Sequence, residues 1–295
     1  MTVLDVIICT HNPDLEYINR VLNALKIQSL NQERWNLIII DNNSDTPLQS
    51  AVDLSWHANA SIIVETKKGL SCARIRGIKE TLSNLILFID DDNIIPPNHL
   101  EIIIEHSEAY KNLGVFGSGK IIPEWEIEPK PSVLPYTKVL ALKNVDEAIW
   151  SNSPSCKASN VFGAGMVVRR DVANAYVEHC LNNPLSLNLG RSGANLMSGE
   201  DIEFSYIACK MGYGKGVFPD LPIIHLISKD RVTDEYIIKL CCGNIKSKAI
   251  LSELWGTKKA RKLKGSLALI MGHSKRPSIF SFRLCLHKIM TLIKL

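Results

Sequence analysis

The eight cysteines of this sequence include no C-x-x-C pair. That absence removes the usual spacing of zinc sites and dithiol redox centres. Cys9, Cys72, Cys156, Cys180, Cys209, Cys241, Cys242 and Cys285 are read as free thiols of a reducing compartment. The N-terminus lacks a basic n-region, and Asp5 interrupts its first apolar run, so no signal peptide is expected. No stretch reaches the roughly 18 apolar residues of a membrane span. These readings predict a cytoplasmic protein, with contact at the inner face of the cell membrane through its tail. Neither G-x-G-x-x-G nor G-x-x-x-x-G-K-[ST] follows the first apolar strand, which disfavours dinucleotide and P-loop binding. Positive charge is also scarce where a DNA-reading fold would need it. Residues 246–295 hold 12 Lys/Arg against 1 Asp/Glu, leaving 22 basic and 29 acidic residues in 1–245. Such a tail suits anionic lipid or a polyanion, and no nucleic-acid partner is expected.

What the sequence does have is Leu85–Asn93, LILFIDDDN. Five apolar residues lead into Asp90, Asp91 and Asp92. The apolar run reads as a strand buried on both faces of a parallel sheet. Adjacent carboxylates repel one another, so a cation is the natural neutraliser. Mg²⁺ or Mn²⁺ takes oxygen ligands and shares them with substrate phosphates. A plain strand-to-loop turn is the blander alternative, since Asp and Asn end strands anyway.

Around this stretch the pattern alternates. Val3–Cys9 reads as a strand, with Asn12 as helix cap and Pro13 in the first turn. Further strands are expected at Asn36–Ile40 and Ser61–Glu65, and a helix from Leu70 carrying Arg74 and Arg76. Strands alternating with helices predict an α/β, doubly wound, mostly parallel sheet flanked by helices. In such sheets ligands bind beyond the carboxyl ends of the strands. Thr10–Asn12, Asp41 and Asp90–Asp92 should therefore converge on one cleft.

Downstream, Asn98 and Glu101 resemble a capping box for a helix to about Asn112, and Val115–Ile122 reads as a strand. Pro123–Lys157 is read as a flap beside the cleft. Its Trp125 and Trp150 could stack on sugars, although core packing is the commoner fate of tryptophan. Ser159–Arg170 reads as a strand. Ser198 is expected to cap a helix that opens with Glu200 and Asp201, where acidic residues also serve the helix dipole. A short strand at Val217–Phe218 and a lone His225 follow. Thr233–Leu254 reads as a long helix. Ile279–Leu295 separates a basic face from an apolar one, the pattern of a membrane-surface helix. The expected division is a catalytic domain over 1–228 and a basic helical extension over 229–295.

Five blocks in order resemble glycosyltransferase family 2: Ile7–Asn12 (IICTHN), Ile38–Asp45 (IIIDNNSD), Lys67–Ile78, Leu87–Asn93 and Ser198–Ser205 (SGEDIEFS). The resemblance spans roughly residues 1–228 and implies a GT-A fold. It implies that Thr10, His11 and Asn12 line a nucleotide pocket. The sequence departs from the family there, with His11 in place of an aromatic and Cys9 in place of a proline. It further implies that Asp41 accepts a hydrogen bond from uracil and that Arg74 serves the diphosphate or its carboxylate neighbours. Asp90 and Asp92 match the D-x-D ends, with Asp91 between them and Asp92 as metal ligand. Asp201 matches the catalytic base, with Glu200 beside it, and His225 is the late histidine that some GT-A enzymes bring to the metal.

The implied reaction is inverting and metal-dependent. A hexose or N-acetylhexosamine would pass from a nucleotide-diphosphate sugar, UDP-linked, to a hydroxyl of a glycan or lipid-linked acceptor in cell-surface polysaccharide synthesis. Two alternatives stand beside it. One is a nucleotidyltransferase, which would want a Gly-rich basic loop where CTHNP stands. The other is a non-catalytic scaffold that binds nucleotide sugar.

Overall fold

The computed structural model describes residues 2–193, 195–256 and 287. The expected membrane-surface helix and the basic run after Lys258 lie outside the described residues.

Among the described residues ten strands form one sheet: β1 (Leu4–Thr10), β2 (Trp35–Asp41), β3 (Ala60–Val64), β4 (Leu85–Asp90), β5 (Asn93–Ile94), β6 (Leu113–Trp125), β7 (Lys143–Asn144), β8 (Ile149–Ser151), β9 (Met166–Arg169) and β10 (Gly214–Ile227). The order is β3-β2-β1-β4-β9-β6-β10-β5, with β7 on β6 and β8 on β10. β3, β2, β1 and β4 run parallel. β9 is antiparallel to both β4 and β6, and β10 is again parallel to β6.

Helices cover both faces. They are α1 (Leu15–Lys26), α2 (Leu70–Lys79), α3 (His99–Ala109), α4 (Arg170–Asn182), α5 (Glu200–Lys210) and α6 (Asp234–Leu254). Successive residues of a strand point to opposite faces. Accordingly Leu4, Val6 and Ile8 pack with Ile18, Leu22 and Leu25 of α1, while Ile7 packs with Ala73 of α2, Tyr176 of α4 and Phe204 of α5. Burial on both faces is why β1, β2 and β4 read as nearly unbroken apolar runs. On a third, smaller cluster, α6 packs Ile237, Leu240 and Cys241 against Val133 and Leu140 of the expected flap.

Several expectations are corrected. Asn12 does not cap α1; it has φ 51°, and Asp14 caps by accepting from the Glu16 and Tyr17 amides. Asn98 precedes α3 but makes no side-chain cap, and the Glu101 carboxylate, the other half of the expected box, accepts from the Ser29 hydroxyl. Ser198 donates to Asn244 Oδ1 of α6, and the residue preceding α5 is Gly199 at φ 149°, where a Cβ would be strained. Only Met166–Arg169 of the expected Ser159–Arg170 strand is strand. Val217, Phe218 and His225 all belong to one 14-residue strand, longer than the short strand expected at Val217–Phe218. Trp125 packs in the third cluster, Trp150 is 56% exposed on β8, and neither lines the cavity described below. The seven described cysteines carry no disulfide.

Candidate active site

A cavity of about 580 Å³ opens beyond the carboxyl ends of β1, β2 and β4. Its walls are the α2 and α5 N-termini, the Phe162–Ala164 segment, Lys138–Ala141 of the flap, and α6. The flap thus stands beside the cleft as expected.

The parallel registers place Thr10, Asp41 and Asp90 at neighbouring strand ends. Thr10, buried, donates its hydroxyl to Asp91 Oδ2. His11 is exposed at the cavity wall. Asn12 lies off the wall; it donates to Asp45 Oδ2 at 2.8 Å and accepts from the Asp45 amide at 2.8 Å. Asp41 is buried, accepts from the Ser44 amide at 2.9 Å, and does not line the cavity. Its neighbour Asn42 does, donating to the Glu65 and Lys67 carbonyls and accepting from the Gly69 amide at 2.7 Å. Gly69, at φ 128°, starts α2 with the conformation a side chain would resist.

The floor is an ion-pair network. Arg74, 2% exposed, places Nη1 2.8 Å from Glu200 Oε1 and Nη2 3.8 Å from Asp90 Oδ1. Burial alone would lower Arg74, but Glu200 and Asp90 outweigh it and hold the guanidinium above its ordinary value. Arg74 thus meets carboxylate neighbours, as the resemblance implies. Glu200 also accepts from the Gly199 amide at 3.0 Å.

Asp201 differs from its neighbour. It is half-buried at the cavity wall and accepts from the Gly163 amide at 3.2 Å and the Ile202 amide at 2.7 Å. Burial, then Glu200, pushes it up to about 7. A carboxylate poised there can exchange a proton at neutral pH. The expectation that the helix start simply keeps it ionised is therefore refined: desolvation and Glu200 overcome the backbone donors.

The acidic triplet divides its charge unevenly. Burial and Asp92 raise Asp91 to about 7. Burial raises Asp90 too, against the pull of Arg74. Asp92 goes the other way: burial opposes its charge, but His225 and Arg231 outweigh it and hold Asp92 well below the carboxylate range. His225 Nε2 lies 3.3 Å from Asp92 Oδ2, and Arg231 Nη1 donates to the same oxygen at 2.5 Å.

Asp90 and Asp92 offer the hard oxygens that Mg²⁺ or Mn²⁺ takes. The buried Nδ1 of His225 has no hydrogen-bond partner among the described residues. No group of three His, Cys, Asp or Glu stands ready to hold an ion among those residues. The set therefore fits an ion that uses one or two carboxylates and completes its shell with water and substrate phosphates, as Mg²⁺ commonly does. It does not fit an all-protein cage.

Sequence reasoning did not identify Asn42, Phe162, Lys138, Arg191, Arg231 or Lys248, all at the cavity. Asn42 could have been suspected from the Asp-Asn pair ending β2. Nothing local marks Arg231, which lies on a one-turn helix, Lys229–Val232, before α6.

A parallel sheet with carboxylates at the β4 end and an acidic helix start across the cleft defines the GT-A class of fold. The model of the family described as "Glycosyl transferase family 2" matches residues 5–174, more than half of the chain. The chain belongs to glycosyltransferase family 2. The dolichol-phosphate mannosyltransferase of Pyrococcus furiosus is 39% identical over 114 residues, which is 37% of this chain and 30% of that relative. The chain thus spans under a third of that relative's length. The structure of S. aureus TarS 1-349 with UDP-GlcNAc superposes with a TM-score of 0.56 at 14% identity, covering 91% of this chain and 79% of TarS 1-349. The same fragment without a named ligand gives 0.52 at 16% identity, covering 91% and 78%. These likenesses extend to the fold.

Proposed function

We propose that the protein transfers a sugar from a UDP-linked donor to a hydroxyl of a glycan or lipid-linked acceptor, with inversion. The observation that carries this reading is Asp201, a carboxylate raised to about 7, held by two backbone amides on the cavity it shares with Asp90–Asp92. Family membership and the TarS fold, seen with UDP-GlcNAc, support the donor class.

The chain's residues divide the work. Asp201 takes the proton of the acceptor hydroxyl as its oxygen attacks the anomeric carbon. The bond from that carbon to the diphosphate breaks, and its electron pair leaves with the nucleotide. Lys68, Arg191 and Arg231, all at the cavity, face the charge that develops there. Asp90 and Asp92 would hold Mg²⁺ or Mn²⁺, which when bound neutralises the departing diphosphate. Cys9 is pushed to about 12 by burial, so this thiol is no nucleophile at neutral pH. Attack by the acceptor itself, without a covalent enzyme intermediate, inverts the anomeric carbon.

Thermal melting with UDP, GDP and ADP, each with and without Mn²⁺, tests the donor. A ligand that binds only the folded state raises the melting temperature. A metal-enhanced shift for UDP alone is expected. A shift for GDP and not UDP would overturn the donor, and no shift with any of the three would remove nucleotide binding from the reading.

A further inference from the structure

Arg170, at the end of β4 away from the cavity, and Arg231, at the cavity, are used very differently. Arg170 spends every arm: Nε donates to the Ser83 carbonyl, Nη1 to the Ile78 carbonyl, and Nη2 to both Asp5 and Thr81. That is a structural clamp. Arg231 spends one. Its Nη1 donates to Asp92 Oδ2 at 2.5 Å, while its Nε is buried with no partner among the described residues. Buried donors are ordinarily satisfied, so the open Nε leaves Arg231 capacity for a further partner.

Both oxygens of Asp92 are engaged while Arg231 holds it. Oδ2 receives Arg231 and faces His225, and Oδ1 accepts from Asn93 Nδ2 at 2.9 Å. A divalent cation binding at Oδ2 would face a guanidinium charge in hydrogen-bond contact with the same oxygen. Two cations cannot share it without repulsion. Arg231 also lines the cavity, so on leaving Asp92 its open Nε and its Nη groups face the space where a diphosphate would lie. An arginine fork suits phosphate oxygens bidentately. The backbone carrying it is a single 3-10 turn between β10 and α6.

We propose that Arg231 and a divalent cation are alternative occupants of the Asp92 carboxylate, so that Arg231 covers Asp92 in the empty protein and passes to the donor diphosphate when the metal enters. The proposal rests on the donor reading above for the diphosphate, but its first half concerns the metal and Asp92 alone.

The test is Mn²⁺ binding to the full chain, read as loss of the free-ion EPR signal, without nucleotide and then with saturating UDP. Without nucleotide, Arg231→Gln is expected to bind Mn²⁺ at least tenfold more tightly than the natural protein, and Asp92→Asn to bind none at that site. With UDP the natural protein gains affinity and the gap to the variant narrows. Arg231→Lys, with one charge and no fork, should stay near the natural protein without nucleotide and gain less with UDP. Melting curves check that each variant is folded. Equal or weaker Mn²⁺ binding by Arg231→Gln overturns the proposal, and so does absence of binding by both proteins. Mn²⁺ results as expected, with no UDP effect on either protein, would leave the competition standing and overturn the transfer of Arg231 to the diphosphate. Failure of the sugar-transfer reading appears separately, as absence of UDP-sugar turnover.

Discussion

Substituting Glu200 by Gln removes one negative charge from a closed network. Glu200 is 4% exposed, 2.8 Å from Arg74, and is the largest charge acting to raise Asp201. Two consequences follow, in opposite directions. Arg74 loses its close counter-charge, and breaking a buried pair from one side costs about 3–5 kcal/mol. The amide can still accept from Arg74, and Asp90 lies 3.8 Å away, so the lower end, about 3 kcal/mol, is expected. Meanwhile Asp201 loses its like-charge neighbour while Arg74 continues to favour its ionised form. Its titration should therefore fall below about 7. The assay is the pH dependence of donor turnover, alongside denaturant unfolding. The acid limb of the rate profile, set by deprotonation of the base, should move to lower pH in Glu200→Gln. An unmoved limb, or one displaced upward, would refute the electrostatic account of Asp201.

Further expectations follow from the same geometry. Asp201→Asn should melt higher than the natural protein at pH 8, because a group whose folded pKa is raised destabilises the fold once ionised. The difference should shrink as pH falls from about 7 towards the unfolded carboxylate range, and a pH-independent difference would contradict it. Gly163→Ala places a Cβ 2.3 Å from Arg74 Nη2, and the guanidinium is too confined by Glu200 to yield freely. A loss of about 1–3 kcal/mol in unfolding free energy is expected, with reduced turnover; unchanged unfolding would show that Arg74 can move. Lys143 Nζ donates to the Asn160 carbonyl at 2.5 Å and lies 4.4 Å from the Phe162 ring centre, beside the segment that orients Asp201. Lys143→Met should lower kcat more than it raises KM for the donor, and an effect on KM alone would reject this support. Removing residues 257–295 should weaken binding to anionic vesicles in a flotation assay, with no change for neutral ones.

The architecture was legible where one physical signal dominated. β1, β2 and β4 are buried on both faces, so their apolar runs located them within a residue or two. β10 reads as shorter in the sequence because Pro222 and Asp220 interrupt it, and in the fold its register against β6 is irregular between Phe218 and Pro222. The caps failed for a different reason. Asn12, Asn98 and Ser198 are good capping types, but Asn12 and Ser198 are engaged by distant partners that no local window contains. The site divided in the same way. Asp90–Asp92 and Asp201 stand out as short motifs, whereas Asp41 turned inward to brace Ser44 and left the wall to Asn42. Glu200 and Arg74 meet across 126 positions, and Arg231 reaches Asp92 across 139. Pairings at that separation depend on the completed sheet, and the sequence carries no local trace of them.

The most direct measurement is release of UDP from a panel of UDP-sugars, with Mn²⁺ and Mg²⁺ each supplied, by the natural protein and by Asp201→Asn. Turnover of at least one UDP-sugar by the natural protein is expected. The variant should be slower by about 10²–10⁴-fold, the range for loss of a general base, while its UDP affinity is retained. Normal turnover by Asp201→Asn, or no turnover by the natural protein that nonetheless binds UDP, would contradict the assignment of Asp201 as the base of a sugar transferase.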